Sequence, residues 1–219
     1  MSTFWDERFA EPGYKYGTAP NAFLRAEASQ RLTAPARVLV PGDGEGRNGV
    51  WLAQQGHTVL SVDSSRVGLA KGLRLAERQG VSLDVECGDL AAWAPVPGAW
   101  DALVLVFVHL PSAIRAAAHA RLARGVKPGG WVILEAFHPD QLGRASGGPR
   151  DVDMLYTLAQ VRADFAGLCE PVTGWEGEVT LDRGPAHPGA GRVPQRRRRI
   201  GRPSCNASAP TPPPLLSCV

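Results

Sequence analysis

The sequence is organised around residues 36–52, which run ARVLVPGDGEGRNGVWL. The stretch opens with a short apolar run, Ala36 to Val40, that is typical of a buried strand. Three glycines at alternate positions follow, and glycine lets the backbone turn tightly or approach a ligand closely. The next residues place Val50 to Leu52 where a helix would bury them. The stretch therefore predicts a strand, a tight turn and a helix, in that order.

Strands and helices continue to alternate after this stretch. Near-continuous apolar runs at 101–107 and 131–137 are typical of strands buried on both faces of a parallel sheet. The other expected strands are 58–63 and 81–86, and the expected helices are 21–32, 47–55, 65–78, 111–126 and 157–168. Alternation at these lengths requires right-handed crossovers between parallel strands. The sequence therefore predicts an α/β, doubly wound Rossmann-like fold with a mostly parallel sheet.

Composition divides the chain into three parts. We expect residues 1–35 to form an N-terminal helical cap over the ligand site and residues 36–182 to form the α/β domain. Residues 183–219 hold seven arginines, eight prolines and no acidic residue, so we predict a disordered, basic, proline-rich tail. Residues 172–181 are a candidate sixth strand, but no apolar alternation marks a seventh. We therefore expect the C-terminal edge hairpin of the sheet to be incomplete or missing.

The positive charge of the chain is concentrated in that tail. The 219 residues carry a net charge of +3, yet residues 1–182 contain four more acidic than basic residues. The run Arg196 to Arg199 has no aromatic residues interleaved with it, so we interpret it as a solvated charge run. Nucleic acid is therefore not an expected partner.

No segment of the sequence predicts a membrane span or a leader peptide. The longest apolar run, 102–108, is too short to cross a bilayer, and the chain does not open with a basic segment followed by an apolar one. The four cysteines are widely spaced and match neither a metal-ligand pattern nor a disulfide framework. We expect a cytoplasmic monomer or homodimer without a bound metal.

Acidic side chains follow the second and third expected strands. The turn after the first strand, together with the helix start behind it, favours a carboxylate or a phosphate. Asp63 ends the second strand, where a carboxylate can accept both hydroxyls of a ribose. Asp89 follows the third strand and suits an adenine amino group. Together these features predict a nucleoside site at the carboxyl edge of the sheet.

The glycines alone fit two cofactors. Residues 44–49, GEGRNG, match the G-x-G-x-x-G pattern of dinucleotide-binding enzymes, which keeps an NAD(P)-dependent oxidoreductase as an alternative. The glycine phase at 42–46, the GDL turn at 88–90 and the KPGG turn at 127–130 instead resemble class I S-adenosylmethionine-dependent methyltransferases. The chain also leaves no room for a separate hydride-transfer substrate domain.

The first residues of the chain resemble one branch of this methyltransferase class. Residues 4–9, FWDERF, and 16–21, YGTAPN, resemble the start of the tellurite-resistance and thiopurine S-methyltransferase-like branch, as GEGRN at 44–48 resembles its glycine motif. The resemblance covers roughly residues 4–181. It implies a methyltransferase domain at 36–182, S-adenosyl-L-methionine as cofactor, and a small-molecule acceptor such as a thiol or a chalcogen. A non-catalytic cofactor-binding protein remains an alternative.

The same resemblance assigns cofactor-binding positions and shows one departure. The acid that usually ends the first strand is replaced by Val40, followed by Pro41, which removes a carboxylate that would help hold the methionine ammonium. The implied contacts are Gly42, Gly44 and Gly46 along the methionine part with Arg47 beside them, Asp63 and Ser64 at the ribose, Asp89 and Leu90 around adenine, and Phe107 under the cofactor.

Two further residues are candidates for the chemistry. Methyl transfer from a sulfonium is an in-line displacement, so a site accelerates it by alignment and by excluding water. Aromatic faces suit a sulfonium, and Trp5 is a candidate to close over it. His109 follows the fourth strand and is a candidate general base, with a supporting role beneath the cofactor as the alternative.

Overall fold

The computed structural model describes residues 3–144, 147–168, 174–183 and 187–199. The α-helices in these ranges are α1 (Thr3–Ala10), α2 (Ala22–Arg31), α3 (Arg47–Gln54), α4 (Arg66–Arg78), α5 (Ser112–Ala123) and α6 (Leu158–Asp164). The strands are β1 (Arg37–Pro41), β2 (Thr58–Asp63), β3 (Asp84–Cys87), β4 (Trp100–Val106), β5 (Val126–Glu135), β6 (Gly174–Arg183) and β7 (His187–Arg199). No helix within the described ranges is both long and apolar enough to cross a bilayer.

The strands form one sheet in the order β3-β2-β1-β4-β5-β7-β6. β1 to β5 pair in parallel, and β7 runs antiparallel to both β5 and β6. The chain order reverses at β1, from which one arm grows towards β3 and the other towards β5. The predicted doubly wound α/β fold is confirmed, and β1 and β4 form its topological switch point, where such folds bind ligands.

Each face of the sheet is covered by helices. Leu24 of α2, Leu52 of α3 and Leu75 of α4 pack on one face with Val38 and Ile133, in the first apolar cluster. Leu122 of α5 and Val161 of α6 pack on the other face, in the second cluster. The central strands are thus buried on both sides, which explains why their sequences are near-continuous apolar runs.

The C-terminal hairpin corrects the prediction of an incomplete or missing edge. β6 and β7 form an antiparallel pair from Gly174↔Arg196 to Arg183↔His187, and β7 pairs with β5 from Trp131↔Arg199 to Glu135↔Gln195. Residues 187–199, predicted to be part of a disordered tail, therefore form a strand. The ladder bonds of a strand come from backbone groups, so a strand can form without the apolar alternation that the sequence lacks here. Residues 200–219 lie outside the described residues.

The N-terminal segment is attached to α4 and to the turn after β1. Asp6 of α1 accepts hydrogen bonds from Ser65 Oγ at 2.6 Å and from the Val67 N–H at 3.2 Å, and thereby caps the start of α4. Lys71 Nζ lies 2.8 Å from Glu45 Oε1 and also donates to the backbone carbonyls of Glu11 and Gly13, at 2.7 Å each. Glu45 belongs to the turn after β1, so one buried lysine joins this turn to the chain before α2.

Candidate active site

The turn after β1, residues 42–46, has the backbone geometry that its glycines predict. Gly42, Gly44 and Gly46 adopt positive φ angles of 68°, 58° and 83°, in the left-handed region that favours glycine. Gly46 is the residue before α3 and has no side chain of its own to cap the helix, while Asp43 Oδ2 accepts the Gly49 N–H in the first turn. The first backbone N–H groups of α3 therefore lie at the turn, where they suit a carboxylate.

These glycines are also required by packing within the protein. A Cβ atom on Gly46 would lie 2.7 Å from Gly72 Cα of α4, and one on Gly42 would lie 2.7 Å from Val108 Cγ2. A Cβ atom on Gly44 would lie 2.9 Å from the Phe9 ring. The turn, called the glycine turn below, is held between α4, the end of β4 and the N-terminal helix.

Asp63 ends β2 beside the glycine turn. Its Oδ2 accepts the Gly44 N–H at 2.9 Å, and its Oδ1 accepts the Ser65 N–H at 2.9 Å. Burial raises the pKa of Asp63, and these backbone hydrogen bonds oppose part of that rise. Each carboxylate oxygen has a second lone pair, so this geometry leaves acceptor sites for two hydroxyl donors.

The predicted adenine positions lie next to Asp63. The Gly88 N–H donates to the Asp63 carbonyl at 3.0 Å, so the turn after β3 is anchored to the end of β2. Ser64 is half-buried, and its carbonyl lies 3.7 Å from Cys87 Sγ. Asp89 is exposed and accepts the Ala91 N–H at 2.9 Å, whereas Leu90 is buried. The structure therefore brings Asp63, Ser64, Asp89 and Leu90 to one edge of the sheet.

Phe107 has a strained backbone at the end of β4. Its φ of 56° is the one positive value for a non-glycine residue among the described residues. The ring stacks on Phe137 with centroids 4.6 Å apart and planes 23° from parallel, and the N–H donates to the Glu135 carbonyl at 2.7 Å. Left-handed backbone is costly for an aromatic residue and clusters at functional sites. The strained backbone at Phe107 therefore makes the carboxyl end of β4 a candidate functional position.

His109, the predicted general base, lies after β4 with both ring nitrogens facing backbone groups. His109 Nδ1 lies 2.7 Å from the Met154 carbonyl, to which it must donate, and Nε2 accepts the Phe137 N–H at 3.4 Å. Burial lowers the pKa of His109 from 6.5 to about 4. Both ring nitrogens are therefore engaged with the backbone in the neutral form. His109 lies at the sheet edge, where burial lowers its pKa and the hydrogen bond to the Met154 carbonyl opposes part of that shift.

Trp5 and Arg47 are placed by the N-terminal segment. Trp5 is half-buried and stacks on Phe9, with centroids 5.4 Å apart and planes 20° from parallel. Phe9 rather than Trp5 packs against the glycine turn. Arg47 opens α3, is buried, and donates to the Tyr16 carbonyl at 3.1 Å. Trp5 thus lies near the glycine turn through its contact with Phe9, and Arg47 directly follows the turn and binds the N-terminal segment at Tyr16.

Sequence analysis missed one buried polar cluster at the same edge. Asn21 caps α2 by accepting the Leu24 N–H at 2.8 Å, and its backbone N–H donates to Asn48 Oδ1 at 2.9 Å. The Asn21 side-chain amide donates to Glu135 Oε2. Asn21, Asn48 and Glu135, called the Asn21 network below, are each at most 4% exposed. The available signal was Glu135 itself, an acid within the otherwise apolar run WVILEAF.

The position of the missing β1 acid is apolar, and another acid lies nearby. Val40 is buried in the first apolar cluster. Three residues later, Asp43 Oδ2 accepts Ser61 Oγ at 2.6 Å and the Gly49 N–H at 3.1 Å, while Oδ1 is buried without a hydrogen-bond partner. Burial raises the pKa of Asp43 from 3.8 to about 7. Asp43 therefore supports the packing of α3 on β2 and is not an ordinary solvated acid.

The sequence matches a family model and curated relatives. Residues 38–130 match the model described as a methyltransferase domain. A thiopurine S-methyltransferase of Bordetella parapertussis is 31% identical over 189 residues, which cover 76% of this chain and 82% of the relative. The residues matched by the family model include the glycine turn, Asp63, the turn after β3 and the end of β4.

Solved structures share the fold. TehB from Haemophilus influenzae superposes with a TM-score of 0.63 at 15% identity, over 90% of this chain and 66% of TehB. A SAM-dependent methyltransferase from Aquifex aeolicus superposes with a TM-score of 0.61 at 15% identity, over 81% of this chain and 89% of that protein. At these identities the likeness concerns the fold alone.

Proposed function

The chain belongs to the thiopurine S-methyltransferase family of S-adenosylmethionine-dependent methyltransferases, and on that premise we propose that its acceptor is a small thiol or a related chalcogen anion. Methyl transfer from S-adenosylmethionine to a small molecule follows from the family. The oxidoreductase alternative is not favoured, because the family model and the relatives are methyltransferases. The proposal concerns the chemical class of the methyl acceptor.

The residues at the carboxyl edge fit S-adenosylmethionine. The left-handed glycine turn and the first backbone N–H groups of α3 suit the methionine carboxylate, with Arg47 beside them. Asp63 keeps acceptor sites for the ribose hydroxyls next to Ser64, and Asp89 and Leu90 flank the expected adenine position. We assign Phe107 to the floor of the site and Trp5 to the N-terminal cap formed by residues 1–35. Aromatic faces favour a cation such as a sulfonium.

The observation that carries the acceptor proposal is the engagement of His109. Its pKa of about 4 and its two backbone hydrogen bonds keep it from accepting a proton near neutral pH. An acceptor that ionises by itself needs no such base. An ordinary thiol is ionised to about a few per cent near neutral pH and the thiolate is strongly nucleophilic, whereas an alcohol is not measurably ionised there.

The chain then contributes alignment and exclusion of water. Bound S-adenosylmethionine supplies a methyl group on a sulfonium; the acceptor anion forms the new bond to carbon as the old carbon–sulfur bond breaks, which leaves neutral S-adenosylhomocysteine. The stacked Phe107 and Phe137 rings provide an apolar wall at the end of β4. Such a wall disfavours water and leaves the anion poorly solvated, which speeds attack.

The test is methyl transfer from labelled S-adenosylmethionine to a panel of acceptors of known pKa. Thiols, selenols and tellurite are compared with a catechol and a primary amine at several pH values. We expect transfer to the chalcogen acceptors, with rates that follow the anionic fraction of each acceptor. Preferred transfer to the catechol or the amine would overturn the proposal. No transfer to any acceptor, with intact cofactor binding, would favour the non-catalytic alternative.

Location, oligomeric state and nucleic-acid binding are also matters of proposal. We propose that the protein acts in the cytoplasm as a monomer or homodimer, and that nucleic acid is not a partner. The acidic balance of residues 1–182 supports the last point. Half-buried Cys87 is a free thiol, which suits a reducing compartment.

A further inference from the structure

We propose that Glu135 holds the ammonium of the methionine part of S-adenosylmethionine, so that β5 supplies the carboxylate that is absent from the end of β1. The inference rests on the proposed placement of the cofactor at the glycine turn. It assigns a role to a residue that neither the motifs nor the family comparison singled out.

Register places Glu135 at the level of the glycine turn. β1 pairs with β4 through Leu39↔Leu103, and β4 pairs with β5 through Val106↔Glu135. Three residues after the Leu39↔Leu103 pair, Gly42, which follows β1, is level with Val106 of β4. Glu135 therefore lies at the height of the first glycine of the turn, separated from it by one strand.

Side-chain alternation places Glu135 on the same face of the sheet as Val40. Val40, Val106 and Ile133 all belong to the first apolar cluster, which packs beneath α2 and α3. Glu135 follows Ile133 by two residues in β5, and alternate residues of a strand share a face. The carboxylate thus lies on the face where α3 begins, at the edge where the methionine part is proposed to bind.

The Asn21 network aims the Glu135 carboxylate. Asn21 donates to Glu135 Oε2, while its backbone N–H is held by Asn48 in the first turn of α3. The same amide side chain caps α2, so both of its ends are held, the oxygen by the Leu24 N–H and the nitrogen by Glu135. Glu135 is 1% exposed, and a positive group with several donors stabilises a buried carboxylate. An ammonium offers one charge and three N–H donors.

Asp43 is the competing carboxylate and is less suited to the role. Its Oδ2 is held by Ser61 of β2 and by the Gly49 N–H within α3, which leaves for a ligand only Oδ1, itself buried without a hydrogen-bond partner. Burial raises its pKa to about 7, so a large fraction carries no charge near neutral pH. A neutral carboxyl group attracts an ammonium only weakly.

Calorimetry with two ligands tests the proposal on the full chain. S-adenosylhomocysteine carries the ammonium, whereas 5′-methylthioadenosine lacks the whole amino-acid part. We expect Glu135→Gln to weaken S-adenosylhomocysteine binding roughly ten- to hundredfold and to change 5′-methylthioadenosine binding less than twofold. Asp101→Asn, at the opposite end of β4, is the matched control and should change neither affinity.

The outcomes separate this inference from the proposed cofactor site. If the native chain binds neither ligand, the cofactor site itself is wrong and the inference falls with it. If the native chain binds both and Glu135→Gln binds S-adenosylhomocysteine equally well, only the inference is overturned. A selective loss in Asp43→Asn instead would assign the ammonium to Asp43. Should Glu135→Gln fail to fold, Asn21→Ala should still show the same selective loss, at a smaller magnitude, and its absence there would overturn the inference.

Discussion

Replacement of Asp43 by asparagine should remove a strong pH dependence from the stability of the folded chain. Asp43 is 8% exposed, and one of its carboxylate oxygens is buried without a hydrogen-bond partner. Burial therefore raises its pKa from 3.8 to about 7. Asparagine has nearly the same shape, can accept the Gly49 N–H and the Ser61 hydroxyl through its carbonyl, and stays neutral at every pH.

The sign follows from proton binding. Between the two pKa values the folded chain keeps a proton that the unfolded chain has released, so stability falls as the pH rises. The contribution is fully present below about pH 4 and is lost as the pH rises to about 7. Each pH unit costs about 1.4 kcal/mol, so the native chain loses about 4 kcal/mol over this window. The Asp43→Asn variant lacks this loss.

Urea unfolding at several pH values from about 5 to about 8 measures the effect. The stability of Asp43→Asn relative to the native chain should increase by about 1.4 kcal/mol per pH unit and level off above about pH 7. Asp101→Asn is the control, because the Arg37 N–H and Lys127 hold the pKa of Asp101 below its usual range. Its difference from the native chain should be constant over the same window. Parallel curves for Asp43→Asn and the native chain would refute the assignment of a raised pKa to Asp43.

Three further changes test the turn, the histidine and the buried ion pair. Gly46→Ala should cost more than Gly129→Ala in urea unfolding, because both residues are left-handed but only a Cβ on Gly46 meets neighbouring backbone, at 2.7 Å; equal costs would contradict this packing. The pH–rate profile of methyl transfer should show no limb near 6.5 from His109, whose pKa is lowered to about 4, and a limb that disappears in His109→Asn would contradict the neutral assignment. Asp164→Ala should lower the free energy of unfolding by roughly 3–5 kcal/mol, because it removes the partner of buried Arg115 at 2.7 Å; a loss below about 1 kcal/mol would contradict it.

Much of the fold and part of the site were predictable because they rest on local patterns. Buried parallel strands need apolar residues on both faces, so 101–107 and 131–137 could be recognised without knowing their partners. The capping box that Thr157 and Gln160 form at the start of α6 likewise depends only on residues three positions apart. Asp63 was predictable because the end of the second strand meets the first turn in any doubly wound sheet.

Other features depend on contacts between distant residues. Asn21 and Glu135 are 114 positions apart, and no local pattern relates a helix cap to the end of a strand. His109 was a candidate base from its place in the chain, but its protonation depends on burial by residues distant in the sequence, which lowers its pKa. β7 has no apolar alternation, and backbone pairing with β5 defines it as a strand.

The sequence by itself determined the order of strands and helices, the glycine turn and the acids that follow β2 and β3, because burial period and turn chemistry are local properties. Only the tertiary structure decided which polar groups are engaged and which remain available for a ligand. Hydrogen bonding and desolvation depend on every neighbour in space, so His109 became neutral, Asp43 acquired a raised pKa, and Glu135 was brought level with the glycine turn.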